Sequence, residues 1–183
     1  MVTQALAHID GTRLPATPLA AGMSPLDAAP SEGLRRRDFF EAVVDRLRLH
    51  LPTPLADFRH KASMGQVKVF YGNERVHYEV WTDGQRGQLE IGLHFEDGPV
   101  STAAFLTFFD ARIVELKHDL GPELELERWT ASWGHLFEIW PLTRLDDALA
   151  DRAARRLATV IAAVQPLVDD AAVPPERAAQ PAE

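Results

Sequence analysis

The sequence predicts an α+β domain in which an antiparallel sheet of about five strands carries helices packed on one face, in the order α-β-β-β-α-β-β-α. Three features point there. Apolar residues recur at spacings of three and four up to Leu51, and at a spacing of two from Gln66 onward. The turns between the alternating runs are short hairpin turns, which join antiparallel neighbours. No glycine-rich loop follows a strand, which argues against a dinucleotide or phosphate-loop fold.

The first helix lies in RRRDFFEAVVDRLRLHLP, where Phe40, Val43, Leu47 and Leu51 form one apolar stripe and Pro52 stops the element. From Gln66 to Glu96 the inward residues are Val67, Val69 and Tyr71, then Val76, Tyr78 and Val80, then Leu89, Ile91, Leu93 and Phe95. Gly72-Asn73 reads as a two-residue turn and Gly84 to Gly87 as a four-residue one. That register places Val69 beside Val76, Val67 beside Tyr78, Tyr78 beside Leu93 and Val80 beside Ile91.

Ser101 is expected to cap a second helix carrying Phe105, Phe109, Ile113 or Arg112, Leu116 and Leu120, which Gly121-Pro122 ends. Two further strands, LELERW and HLFEIW, are joined by a loop with Ser132 and Gly134 and closed by Pro141. Thr143 with Asp146 reads as a capping box for a long helix that turns Leu149, Ala153, Leu157, Val160, Val164 and Leu167 inward. Residues 1–33 and 171–183 are rich in Ala and Pro without periodicity and are expected to be disordered, leaving one domain at 34–170.

Composition narrows the function. The chain has 183 residues, 46% apolar and 25% charged, as an ordinary globular protein does. It has no cysteine, so disulfides, thiolate nucleophiles and cysteine-bound zinc are all excluded. A net charge of -8 and a pI near 5.3 argue against a nucleic-acid partner. Seven Lys/Arg against four Asp/Glu between Arg35 and Lys61 leave a locally basic first helix, read as a solvated face. No run reaches the roughly 20 apolar residues of a membrane span, and the start lacks a secretion signal, so the expected location is cytoplasmic.

The outward face of the three-stranded segment brings Lys68, His77 and His94 into one row and Phe70, Arg75 and Glu96 into the next, with Gln66, Glu79, Trp81 and Glu90 nearby. Antiparallel sheets ordinarily keep such a face hydrated. On that reading Phe70, Arg75, His77, Trp81 and His94, together with Trp133 in the second hairpin loop, form a binding surface, because exposed aromatics among polar groups are enriched where proteins meet partners. The alternative is a metal or acid-base site of His77, His94 and Glu96. Lys68 in the same row and a carboxylate two residues along a strand weigh against that alternative. Trp129, Trp133 and Trp140 cluster around one hairpin and read mainly as packing residues. Asp110 with Glu115-Leu116-Lys117 superficially matches a nuclease motif, but that motif needs a strand and this segment has helical spacing. No Ser, His and acid lie in a nucleophile-elbow context.

The run F-x3-F-x6-L-K-H-D-L-G-P-E-L-E-L-E-R-W, followed by a hairpin and a long helix, resembles an uncharacterised bacterial domain found at the C-terminus of restriction-nuclease-like proteins. The resemblance rests on packing motifs and implies no catalytic residue. At the level of element order the chain is also similar to the small dimeric chaperones of type III secretion, a likeness that implies binding through apolar surface. The functional expectation is a non-catalytic protein-binding or interaction module, taking a protein partner or a second copy of itself and no cofactor. The alternative is a metal-dependent enzyme or nuclease accessory domain using the His77/His94 face.

Overall fold

The computed structural model describes residues 33–175. The N-terminal segment expected to be disordered lies outside them apart from Gly33, as does the C-terminal tail beyond residue 175. The elements are α1 (Arg36–His50), α2 (Thr53–Ala56), β1 (Arg59–Ala62), β2 (Gln66–Phe70), β3 (Val76–Asp83), β4 (Gln88–Phe95), α3 (Pro99–Asp110), α4 (Ile113–Leu120), β5 (Glu125–Arg128), β6 (Gly134–Pro141) and α5 (Asp147–Ala171). Among the described residues the strands form one antiparallel sheet in the order β1-β2-β3-β4-β6-β5. The domain is α+β, with one strand more than expected.

The core fills the gap between one sheet face and the helices. Val67, Val69, Tyr78, Val80, Leu89, Ile91, Leu93, Phe95 and Leu136 point into it from the strands. Phe39, Phe40, Val43 and Leu47 of α1, Phe105 and Phe109 of α3, and the run from Leu149 to Val164 of α5 meet them. The helical and strand periods read from the sequence therefore select the residues that are buried.

Five local details differ from expectation. β1 was not foreseen, because RHKA has no apolar alternation; all of its residues are exposed and it exists by pairing with β2 at the sheet edge. The turn between β2 and β3 spans residues 71–75 rather than Gly72-Asn73 alone, so Val69 pairs with Tyr78 and Val67 with Val80, a slip of two residues. Asn73 explains the longer loop: its side chain accepts from Arg75 N at 3.1 Å and donates to Asp97 at 2.7 Å, while Val76 N donates to its carbonyl. A slip of two keeps every side chain on its expected face, and the β3–β4 register, with Tyr78 opposite Leu93, is as expected.

The second helix starts at Gly98-Pro99 rather than at Ser101, which lies buried in the first turn. Gly98 has φ 89°, a conformation that favours glycine, and Pro99 supplies the preset φ of a first helical residue. That helix also breaks at Ala111-Arg112 into α3 and α4, where the Arg112 guanidinium turns back to the Phe108 carbonyl and stacks on its ring at 3.8 Å. α5 is capped by Asp146, which accepts from Leu149 N at 2.8 Å, and not by Thr143.

Candidate functional site

The helix-free face of the sheet carries three cross-strand rows. His77, His94, His135 and Glu127 stand side by side on β3, β4, β6 and β5. The next row holds Lys68, Glu79, Gly92 and Phe137, and the third Gln66, Trp81, Glu90 and Ile139. Lys68 is thus opposite Glu79 rather than beside His77, a consequence of the β2–β3 slip.

This face is not the wet surface expected of it. His77 is 0% exposed and His94 4%, and Phe70, Glu79, Glu90 and His135 are buried as well. Of the residues expected to form a binding surface, Arg75 is exposed but pairs with Asp97, Trp81 is half-buried, and Trp133 is 45% exposed. Phe70 is covered by Arg59, whose guanidinium lies 4.9 Å from its ring. The histidines are buried because they bond to one another's neighbours. Polar groups leave water only when they are paired.

Glu90 is the hub. Its Oε1 accepts from His94 Nε2 at 2.9 Å and from His135 Nδ1 at 3.0 Å. Residues four apart on a strand start about 13 Å from each other, and the residue between Glu90 and His94 on the same face is Gly92, which has no side chain. A Cβ at Gly92 would stand 2.3 Å from the Leu136 carbonyl oxygen and 2.6 Å from Phe137 Cα. His77 is held separately: Nδ1 donates to the Glu74 carbonyl at 2.9 Å, Nε2 meets Glu79 at 3.2 Å, and its ring stacks on His94 at 5.5 Å. The Lys68 ammonium lies 3.6 Å from Glu79 and 3.3 Å from Glu96.

These contacts set the charges. Burial alone would push the His94 pKa down, yet Glu90 and Glu96 outweigh it and raise the value from 6.5 to about 9. The Glu96 carboxylate is 3.9 Å from His94 Nδ1, too long for a hydrogen bond, so it acts through its charge. Burial would raise Glu90, but the two imidazole donors bring it from 4.5 to about 2. Glu96 is likewise brought to about 2, against burial, by His94, His77 and Lys68.

Above this floor opens a cleft of ≈ 320 Å³ with Trp81, Trp129 and Trp133 as walls and Lys68, Glu79, His94 and Glu96 beneath. The β5–β6 hairpin positions two of the walls. Trp129 N and Thr130 N both donate to the Trp133 carbonyl, and Thr102 of α3 anchors the loop through the Ser132 carbonyl at 2.7 Å. Trp129 then lies nearly parallel to the His135 ring, 5.5 Å away, and edge-on to Trp133 at 6.2 Å. Trp129 is 52% exposed. Trp140 belongs to the opposite face, packed against the core, so the three hairpin tryptophans do not form one cluster. Phe70 and Arg75 do not line the cleft.

Among the described residues two triads bring potential ligand atoms within 4.8 Å of one another: His77, His94 and Glu96, and Glu90, His94 and His135. The first was named from the sequence. The second was missed because His135 sits in a largely apolar strand about forty residues from His94; Glu90-x-Gly92-x-His94, with glycine inside a strand, was the available signal. Glu115 and Lys117 lie on helix α4, as their spacing indicated, and Lys117 pairs with Glu125 at 3.0 Å. No family model, no curated protein and no solved structure matches the chain.

Proposed function

We propose that this protein is a protein-binding module that works through the tryptophan-walled cleft on its helix-free face, seating a basic side chain of its partner. The observation that supports this reading is the cleft itself: Trp129 and Trp133 stand half-exposed at a hairpin tip, over a floor containing Glu79 and Glu96. Large indoles at the rim of a concave site are the side chains that anchor interfaces when they become fully covered. Their faces attract cations, and an ammonium or guanidinium lying across them would place its charge toward the two carboxylates. The net charge of -8 favours a basic partner at longer range.

Selection from a displayed random-peptide library tests the reading. The wild-type protein should enrich peptides with a Lys or Arg anchor, and Trp129→Ala with Trp133→Ala should weaken the selected peptides by about 2 kcal/mol or more, the size of an anchor contact. Peptides that bind the double variant as tightly as the wild type would rule the cleft out. The second reading, a metal-dependent protein, draws on the two histidine-containing triads.

A further inference from the structure

We infer that Glu90, His94 and His135 form a binding site for a divalent first-row transition-metal ion, zinc foremost. The inference goes beyond the occupant of the cleft and does not depend on it. Three observations carry it.

The donor set is the first. Two imidazoles and one carboxylate, with no thiolate, are the ligands that zinc and its first-row neighbours take. The ring nitrogens stand 2.9 and 3.0 Å from the same Glu90 oxygen. Ligands bound at roughly 2.0 to 2.1 Å in a tetrahedral site lie about 3.3 Å apart. Each imidazole therefore needs to part from Glu90 by only a few tenths of an ångström, on two strands, β4 and β6, already held in register.

The outer nitrogens are the second. His94 Nδ1 faces Glu96 at 3.9 Å and His135 Nε2 faces Glu127 at 3.7 Å. A carboxylate behind each imidazole is the arrangement that orients metal-bound histidines and fixes which nitrogen carries the hydrogen. His135 Nε2 is buried without a hydrogen-bond partner. A metal on Nδ1 would place the single ring hydrogen on Nε2, where Glu127 becomes its acceptor after a small approach, and the orphan is resolved.

The third is the contrast with the other triad. In the set His77, His94 and Glu96, the His77 ring is already held by the Glu74 carbonyl and Glu79, and the Lys68 ammonium lies 3.3 Å from Glu96. A metal ion there would face a fixed positive charge at close range. Among the described residues no cation other than the imidazoles themselves bonds Glu90. His94 opens onto the cleft, which gives the ion a path in.

The test uses the full chain, stripped with a chelator and titrated with zinc chloride by calorimetry, with elemental analysis of the gel-filtered product. One zinc per chain is expected. Glu90→Gln and His135→Asn should each weaken zinc about 100-fold or more, and Glu96→Gln, acting behind the ligand, about 10-fold. His118→Ala, on an exposed helix face, should leave affinity unchanged. Cobalt(II) in place of zinc should show the intense visible absorption of a tetrahedral site, absent in Glu90→Gln. Failure of the wild-type protein to retain zinc overturns the inference without any variant. So does a larger loss in Glu96→Gln than in Glu90→Gln, which would move the ion to the other triad, or an equal loss in His118→Ala. Peptide binding by the same preparations reads the cleft separately: Trp133→Ala should lose peptides and keep zinc.

Discussion

Replacing Gly92 with alanine adds one methyl group to the middle of β4 and tests the packing and the site together. The new Cβ would lie 2.3 Å from the Leu136 carbonyl oxygen, 2.6 Å from Phe137 Cα and 2.8 Å from Phe137 Cβ, all closer than real Cβ contacts occur. Two of those atoms are backbone, so relief requires β4 and β6 to separate along a pairing that runs from Gln88↔Pro141 to Phe95↔Gly134. Overpacking that a flexible side chain can absorb costs about 1 to 3 kcal/mol; with backbone in the way the cost should reach at least about 3 kcal/mol. At roughly 2 to 4 °C per kcal/mol for a domain of this size, the melting temperature should fall by about 10 °C. Calorimetry on Gly92→Ala beside Gly65→Ala supplies the measurement, since a Cβ at Gly65 meets nothing within 4 Å. Equal melting temperatures for the two variants would refute the described approach of β4 to β6 at Gly92.

Two further outcomes follow from the buried network. His94→Ala strips one donor from Glu90 and the facing charge from Glu96, so urea denaturation should show a loss of about 3 kcal/mol, as for removal of one partner from a buried pair; a change within about 0.5 kcal/mol, typical of exposed positions, would return the residue to the surface. In the chelator-stripped protein, stability should also depend on pH in a direction set by three groups. His94 is raised from 6.5 to about 9, so its contribution is complete below pH 6.5 and disappears as pH climbs through 9. Glu90 and Glu96 are lowered from 4.5 to about 2, so theirs is complete above pH 4.5 and disappears as pH falls through 2. The urea midpoint should therefore be highest between pH 4.5 and 6.5, with His77, His135, Lys68 and Glu79 as the surrounding titratable groups. A midpoint that stays level from pH 6.5 to 9 would contradict the charged state of His94.

The spacing of apolar residues was enough to read the α+β class, the helices and the buried face of the sheet, because a period of 3.6 or 2 is a property of the chain alone. β1 and the long 71–75 loop were not legible: the first depends on pairing to β2, the second on the Asn73–Asp97 hydrogen bond, and both are tertiary. The same limit applies to the site. Alternation places His77 and His94 on the helix-free face correctly, but it says nothing about what stands over that face. Their burial comes from Glu79 and Glu90, from the tryptophan loop, and from His135, which lies about forty residues further along the chain. Glu90, Gly92 and His94 only read as a unit once the strand is known to pack that closely on Phe137.

The two borders of the sheet, β1 and β5, are each four residues long and carry Arg59, His60 and Lys61 on one side and Glu125 and Glu127 on the other. Such brief, ionic margins give an incoming strand few hydrogen bonds and a wet, charged approach. The protein should therefore remain dispersed at high concentration, without growing ribbons by lateral strand addition.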